Sequence, residues 1–391
     1  MFNIPARRRG RGSQSNNSGR FETLKRFDID DGWRPVELWS APSITANDNE
    51  PTQEELEQHN NYQESSAGLR TQWLEDRAKR IITENQSPDV HFDRSVNPYR
   101  GCEHGCAYCF ARPTHAWLGH SAGLDFERIL YAKLNAATLL RRELAKPGYC
   151  CKPIAVGVNT DAYQPLERTL EITRQVLAVL LETRHPLYMI TKSALIERDI
   201  DLLSALSEMG LVTVSISLTT LDNELSRRLE PRAAAPHRRL RTIERLAAAG
   251  IPVRASVSPI IPALNEHELE AIIQSAANAG ATAANAIVLR LPHELAQLFP
   301  EWLEEFYPLK KARVLKAIRS LRSGKLNNSD FSSRFIGEGP RAQLLRQRFE
   351  VACRRAGLAT GREVFAVDTT QFIAPRQVEA GQLDNSQLSL F

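Results

Sequence analysis

Between Ile154 and Leu289, short β-branched and apolar runs alternate with amphipathic stretches, and no other feature constrains the fold of this chain so strongly. The runs are Ile154 to Val158, Leu187 to Thr191, Val212 to Leu218, Val253 to Val257 and Ala286 to Leu289. Helical periodicity fills the intervals near Leu166 to Thr183, Ile196 to Met209, Arg238 to Ala249 and Glu266 to Ala279. Repeats of this kind predict parallel strands with helices packed outside them. In the first helical stretch Leu170, Ile172, Val176, Leu177 and Leu180 share one face, and Gly250 is placed to cap the third. After about Pro292 the pattern becomes helical, near Leu309 to Leu321 and Gln343 to Arg355. Leu345, Phe349, Ala352 and Cys353 form the buried face of the second. With 42% hydrophobic and 25% charged residues, the composition excludes wholesale disorder. No apolar run reaches the roughly 18 residues of a membrane span.

The two ends read differently from this body. Arg7, Arg8, Arg9, Arg11 and Arg20 make the start basic, and Asp28 to Glu64 then carries ten acids against the single base Arg34. An organellar transit peptide is opposed by Gly10, Gly12, Asn16, Asn17 and Gly19, which disfavour an amphipathic helix. Residues 1–64 are therefore expected to be a mostly disordered polar tail, with a short anchor at Trp33, Val36, Leu38 and Trp39. A helical lead-in is expected over 65–88, the α/β body over 89–307, a basic helical extension over 308–368 and a flexible tail over 369–391.

Three of the six cysteines, Cys102, Cys106 and Cys109, fall within eight residues. Such clustering is unlike a disulfide framework, and the absence of an apolar leader points to a reducing cytosol, where grouped thiols bind metal or do redox chemistry. Gly101 and Gly105 permit the positive φ of a wrapping loop. Zinc would need a fourth ligand, for which His104, His115 and His120 are candidates without the spacing of a zinc finger. A [4Fe-4S] cluster held by three cysteines instead leaves one iron open to a ligand.

The loop from Cys102 to Cys109, with Tyr108 before the third cysteine, resembles the cluster motif of the radical S-adenosylmethionine (SAM) enzymes. The longer stretch from Asn97-Pro98-Tyr99-Arg100-Gly101 through Phe110-Ala111-Arg112 resembles the spore photoproduct lyase-like branch. That resemblance, covering about residues 89–310, implies a partial (β/α)6 TIM-like barrel with strand-end loops around one mouth. It implies a [4Fe-4S] cluster on Cys102, Cys106 and Cys109, with SAM chelating the open iron. Reduction then yields a 5'-deoxyadenosyl radical that abstracts hydrogen, and a flavodoxin or ferredoxin is the expected electron donor. By the same resemblance Thr160 and Asp161 meet the SAM amino group, Lys192 its carboxylate, and Ser215 and Ser217 its ribose. Tyr108 and Ile261, with Pro259, Ile260 and Pro262, flank adenine. Spore photoproduct lyases carry a hydrogen-donor cysteine where this chain has Asn159, which separates it from their specific reaction. Cys150 and Cys151 precede the first of the five runs and read as structural or as a redox relay. Three cysteines outside the motif exclude a second four-cysteine cluster.

Lys310 to Arg355 holds thirteen bases and three acids, and Phe331, Arg334 and Phe335 lie among them. A second run includes Arg227, Arg228, Arg232, Arg238, Arg239, Arg241 and Arg245. Both suit phosphates and exposed bases, or else are solvated helical faces. Three functions compete: a radical SAM enzyme repairing or modifying DNA, one acting on a protein or small molecule, and a non-catalytic zinc module binding nucleic acid. The ending Gln387-Leu388-Ser389-Leu390-Phe391 resembles the peptide by which bacterial repair proteins bind the sliding clamp. There Gln387 gives a polar contact, and Leu388, Leu390 and Phe391 fill an apolar groove.

Overall fold

The computed structural model describes residues 10–22, 70–361 and 366–376. The anchor near Trp33 and the C-terminal pentapeptide lie outside these residues. The strands are β1 (Gln72–Glu75), β2 (Ile82–Glu84), β3 (Arg94–Val96), β4 (Tyr99–Arg100), β5 (Ile129–Ala132), β6 (Ile154–Val156), β7 (Leu187–Thr191), β8 (Val212–Ser217), β9 (Val253–Ile260) and β10 (Ala283–Val288). The main sheet runs in the order β10-β9-β8-β7-β6-β3-β2. Its strands from β3 to β10 are all parallel, with β2 antiparallel on the edge beside β3. Six parallel strands in an open curve are the expected partial barrel. A small second sheet joins β1, β5 and β4.

The helices are α1 (Ala136–Leu144), α2 (Ile172–Glu182), α3 (Ile200–Glu208), α4 (Asn223–Leu229), α5 (Pro236–Ala248), α6 (Leu269–Asn278), α7 (Leu295–Phe306), α8 (Pro308–Ser320) and α9 (Gly339–Ala356). Local chemistry sets their ends. Asp222 caps α4 by accepting from the Glu224 N–H at 2.7 Å, and α5 begins at Pro236, whose fixed φ suits the first turn. The stretch expected as one helix from Leu166 breaks at Glu171, whose φ of 50° lies in the left-handed region. Each residue of β8 is buried, as a strand covered on both faces requires. The apolar faces of α2, α3, α5 and α6 close over the sheet as one core that also holds Leu345, Ala352 and Cys353 of α9.

Three expectations change. The lead-in over 65–88 contains β1 and β2 rather than a helix, because Gln72 to Glu75 finds a partner in β5 and Ile82 to Glu84 in β3. Residues 10–22, expected within a disordered tail, pack on the body, with Arg11 and Ser13 buried. The beginning of the expected flexible C-terminal tail is also held: Ile373 N–H donates to Thr183 O at 2.9 Å, and Phe372 packs between Tyr149 and His185. No described helix is long and apolar enough to cross a membrane.

Candidate active site

The chain leaves β3 at Val96 and passes through Asn97 into the cysteine loop, so the loop rises from the C-terminal end of the first parallel strand. Gly101 and Gly105 take φ of 74° and 65°. A Cβ at Gly101 would lie 2.8 Å from Leu130 and 2.9 Å from Phe126 O, so the turn is closed to larger residues. Gln164, after β6, accepts from Glu103 N–H at 2.9 Å and donates to Gly101 O at 3.3 Å, tying the next strand end to the loop.

Beneath the loop, fully buried Arg112 donates to Cys106 O and Gly123 O, each at 2.9 Å, and pairs with buried Glu127. Glu127 also accepts from Gly12 N–H at 3.0 Å and Ser13 N–H at 2.8 Å. Residues 10–22 thus form a strap under the loop. A Cβ at Gly12 would sit 1.6 Å from Gly105 O, so only glycine fits there.

The three thiols lie in this cradle as free cysteines. Burial first, then the charges of Asp161, Cys106 and Cys109, raises the Cys102 thiol well above its usual range. Burial also pushes Cys106 up to about 12. Thiolates here therefore need a cationic partner such as iron. Among the described residues, no three His, Cys, Asp or Glu side chains converge as a site for one metal ion. The charges of Cys106 and Cys109 nevertheless act on the Cys102 thiol, so the three residues of the motif lie within electrostatic reach of one position. Two of the histidines considered as a fourth ligand are engaged elsewhere, while both ring nitrogens of buried His115 lack a hydrogen-bond partner among the described residues. His104 Nδ1 is 3.2 Å from Asp161, His115 is buried against Gly101 and Phe126, and His120 Nε2 is 2.7 Å from the Tyr131 hydroxyl.

The following strand ends converge on the cysteines. Lys192, directly after β7, holds its ammonium 5.9 Å from the Tyr108 ring centroid. It makes no hydrogen bond from that ammonium among the described residues. Burial opposes its charge, but Cys106, Glu230 and Asp161 together raise its pKa above the usual lysine value. Tyr108 bonds Glu230 and lies 3.2 Å from Thr219 Oγ1, and it shares an apolar cluster with Cys106, Leu229 and Ile261. Glu230 pairs in turn with buried Arg239, which donates to Ala234 O at 2.7 Å and Ser217 O at 3.0 Å.

Several expected ligand contacts are already engaged. Asp161 accepts from Thr191 Oγ1 at 2.7 Å, Tyr163 N–H at 2.9 Å and Lys192 N–H at 2.8 Å. With His104 also alongside, its carboxyl is held far below the usual range despite burial. Asp161 therefore braces two strand ends rather than offering a free carboxylate to an amino group. Thr160 donates its hydroxyl to Tyr99 O at 2.9 Å, leaving only lone pairs for a ligand. Ser215 and Ser217 share the inner face of β8, but Ser215 accepts from Arg254 at 3.1 and 2.6 Å. It sits deeper, in a cavity of about 620 Å³ lined also by Phe110, Tyr188, Met189, Ser256 and Phe349. Burial brings Arg254 down to about 9. Cys150 and Cys151 stand before β6, at the end of the barrel away from the cysteine loop, which argues against a relay to it.

Sequence reasoning missed Glu127 and Glu230, isolated polar residues whose contacts with the strap and with Tyr108 are remote in sequence, and it named Arg112 only as part of the resembling stretch. The basic runs are also more internally paired than their composition implies. Arg228, Arg232, Arg238, Arg239 and Arg245 meet Glu224, Glu103, Glu197, Glu230 and Glu197 respectively. Lys311, Arg334, Arg341 and Arg348 pair with Glu304, Asp89, Glu266 and Glu270.

Comparison with known proteins agrees with this geometry. The family model described as the radical SAM superfamily matches residues 96–276. An uncharacterized protein of Mycobacterium tuberculosis is 36% identical over 230 residues, covering 58% of this chain and 68% of that relative. An uncharacterized protein of Methanocaldococcus jannaschii is 28% identical over 192 residues, covering 49% and 69%. Among solved structures, spore photoproduct lyase complexed with dinucleoside spore photoproduct is similar with a TM-score of 0.53 and 14% identity, over 73% of this chain and 80% of that one.

Proposed function

This chain belongs to the radical SAM superfamily, and from that premise we propose that it uses a [4Fe-4S] cluster and SAM to repair or modify DNA. The observation that carries the reading is that the loop holding Cys102, Cys106 and Cys109 is met by the next two parallel strand ends: Lys192, after β7, stands over the Tyr108 ring, and Asp161, after β6, lies 3.2 Å from His104 and accepts from Lys192 N–H. When bound, the cluster with SAM supplies one-electron cleavage of SAM and hydrogen abstraction from a substrate. The chain's own residues set the geometry. Lys192 would pair its ammonium with the SAM carboxylate, and Tyr108 and Ile261 would give adenine an apolar wall. Glu230 and Arg239 fix the Tyr108 hydroxyl, and Arg112 with Glu127 holds the loop. Asn159 cannot act as a thiol hydrogen donor, so the final hydrogen comes from another group.

Three features support DNA: the arginines and phenylalanines beside the cavity, the fold shared with spore photoproduct lyase, and the clamp-like ending Gln387, Leu388, Leu390 and Phe391. The solved lyase complex holds a dinucleoside spore photoproduct. A flavodoxin or ferredoxin delivers the electron. A protein or small-molecule substrate is the second reading, favoured by the mostly apolar cavity lining. Turnover on deuterated DNA separates them: deuterium recovered in 5'-deoxyadenosine supports DNA, and its absence despite SAM cleavage rejects it. Titrating sliding clamp with the intact chain and with one lacking Gln387 to Phe391 tests the partner. Binding only by the intact chain is expected, and equal binding or none by either removes that support.

A further inference from the structure

Beside the cavity, aromatic and guanidinium groups alternate in space although they come from distant segments. Phe110 directly follows Cys109, Arg290 follows β10, and Phe331, Arg334 and Phe335 belong to the loop before α9. The Arg290 guanidinium lies 5.6 Å from the ring centroids of both Phe110 and Phe335. Arg334 lies 4.6 Å from Phe335 and 4.7 Å from Phe331. Phe110 and Phe331 are 50% and 48% exposed. Isolated phenylalanines on a surface need no explanation, but a row of rings separated by arginines offers flat apolar faces and positive charge together.

Two further observations give the row a direction and a charge. A groove of about 620 Å³, lined by Pro88, Asp89, Asp330, Phe331, Ser332, Phe335 and Ile336, adjoins the barrel cavity. Asp89, Phe335 and Ile336 line both spaces, so the row spans the passage from surface to barrel interior. Arg334 neutralises Asp89, and Asp330 accepts from Ser332. Arg290, in contrast, makes no hydrogen bond or ion pair among the described residues. Burial and the neighbouring Arg334 lower its pKa below the usual arginine value, and Asp89 offsets this only in part. A phosphate beside Arg290 would balance that charge.

We infer that the row Phe110, Arg290, Phe335, Arg334 and Phe331 is a binding site for an unpaired stretch of DNA, with one nucleotide turned into the barrel cavity. This rests on the DNA reading above. Base faces hidden in a duplex cannot stack on Phe110 or Phe331, whereas an unpaired strand offers both bases for the rings and phosphates for Arg290. A cavity of about 620 Å³ lies within the range of small-ligand sites, and Phe110 sets its entrance beside the cysteine loop.

The test is fluorescence anisotropy with the full-length holoenzyme and a labelled DNA 12-mer, its duplex and the RNA of the same sequence, at two salt concentrations. Single-stranded DNA should bind tightest. Phe331→Ala and Phe110→Ala should each weaken it about tenfold, the scale of one lost stacking contact. Arg290→Ala should lower the salt slope by about one, with Arg290→Lys retaining the slope but not the affinity. Unchanged melting temperatures would show that these variants fold. Binding of single-stranded DNA that all the variants retain would overturn the site while leaving the DNA reading intact. Equal duplex binding would overturn the unpaired specificity, and tighter RNA binding would overturn DNA as the occupant. No binding of any probe would overturn the DNA reading and the site together.

Discussion

The floor under the cysteine loop and the phenylalanine–arginine row beside the cavity both use arginine, in opposite ways. Below the loop, Arg112 is fully buried, donates to backbone carbonyls and pairs with an equally buried Glu127. At the row, Arg290 is half-buried between rings with no carboxylate paired to it among the described residues. A buried charge with every donor satisfied fixes a backbone, because displacing any partner leaves an uncompensated charge. An arginine supported only by ring faces keeps its hydrogen-bonding capacity for a ligand. The difference separates holding a loop still from receiving a substrate.

The sharpest way to break this contrast is at the loop. Cys106→Ala is expected to abolish bound iron–sulfur cluster and reductant-dependent 5'-deoxyadenosine, since two thiolates cannot replace three; anaerobic iron and sulfide analysis checks it. Next in size, Arg112→Met leaves Glu127 buried without its partner and should cost about 3–5 kcal/mol in urea unfolding. A loss under 1 kcal/mol would mean that the floor is not held by this pair. Gly12→Val should cost about 1–3 kcal/mol by forcing the strap off Gly105 and should speed cluster loss in air, followed by its visible absorbance. Lys192→Ala should leave the cluster intact and weaken SAM binding by about 1.5–3 kcal/mol in isothermal titration, through loss of a charge-assisted contact. At the other pole, Phe331→Ala should change unfolding stability by no more than about 0.5 kcal/mol, as at an exposed position. A large change there would make the row part of the core.

The strands of the body were legible because β-branched runs buried on both faces have few other uses, and Val212 to Ser217 forms β8 almost as read. The cysteine loop stood out through its spacing, and the structure places Lys192 directly after β7 with its ammonium over the Tyr108 ring of that loop. What stayed hidden depends on pairing across the chain. Arg239 reads locally as one base in a basic helix, yet it is buried on Glu230 and supports Tyr108 through it. Asp161 reads as a ligand and acts as a brace, because three donors from its own turn and from β7 reach it first. The strap over 10–22 has no periodicity to detect. Its backbone N–H groups dock on Glu127, more than a hundred residues away.

The central claim is that the three thiols hold a cluster whose open iron takes SAM. Its most direct test is electron paramagnetic resonance of the anaerobically reconstituted, reduced full chain with and without SAM. The account predicts a [4Fe-4S]+ signal that changes on adding SAM, is absent from Cys106→Ala and shifts only at higher SAM in Lys192→Ala. Zinc without acid-labile sulfide, or a cluster signal indifferent to SAM, would contradict it.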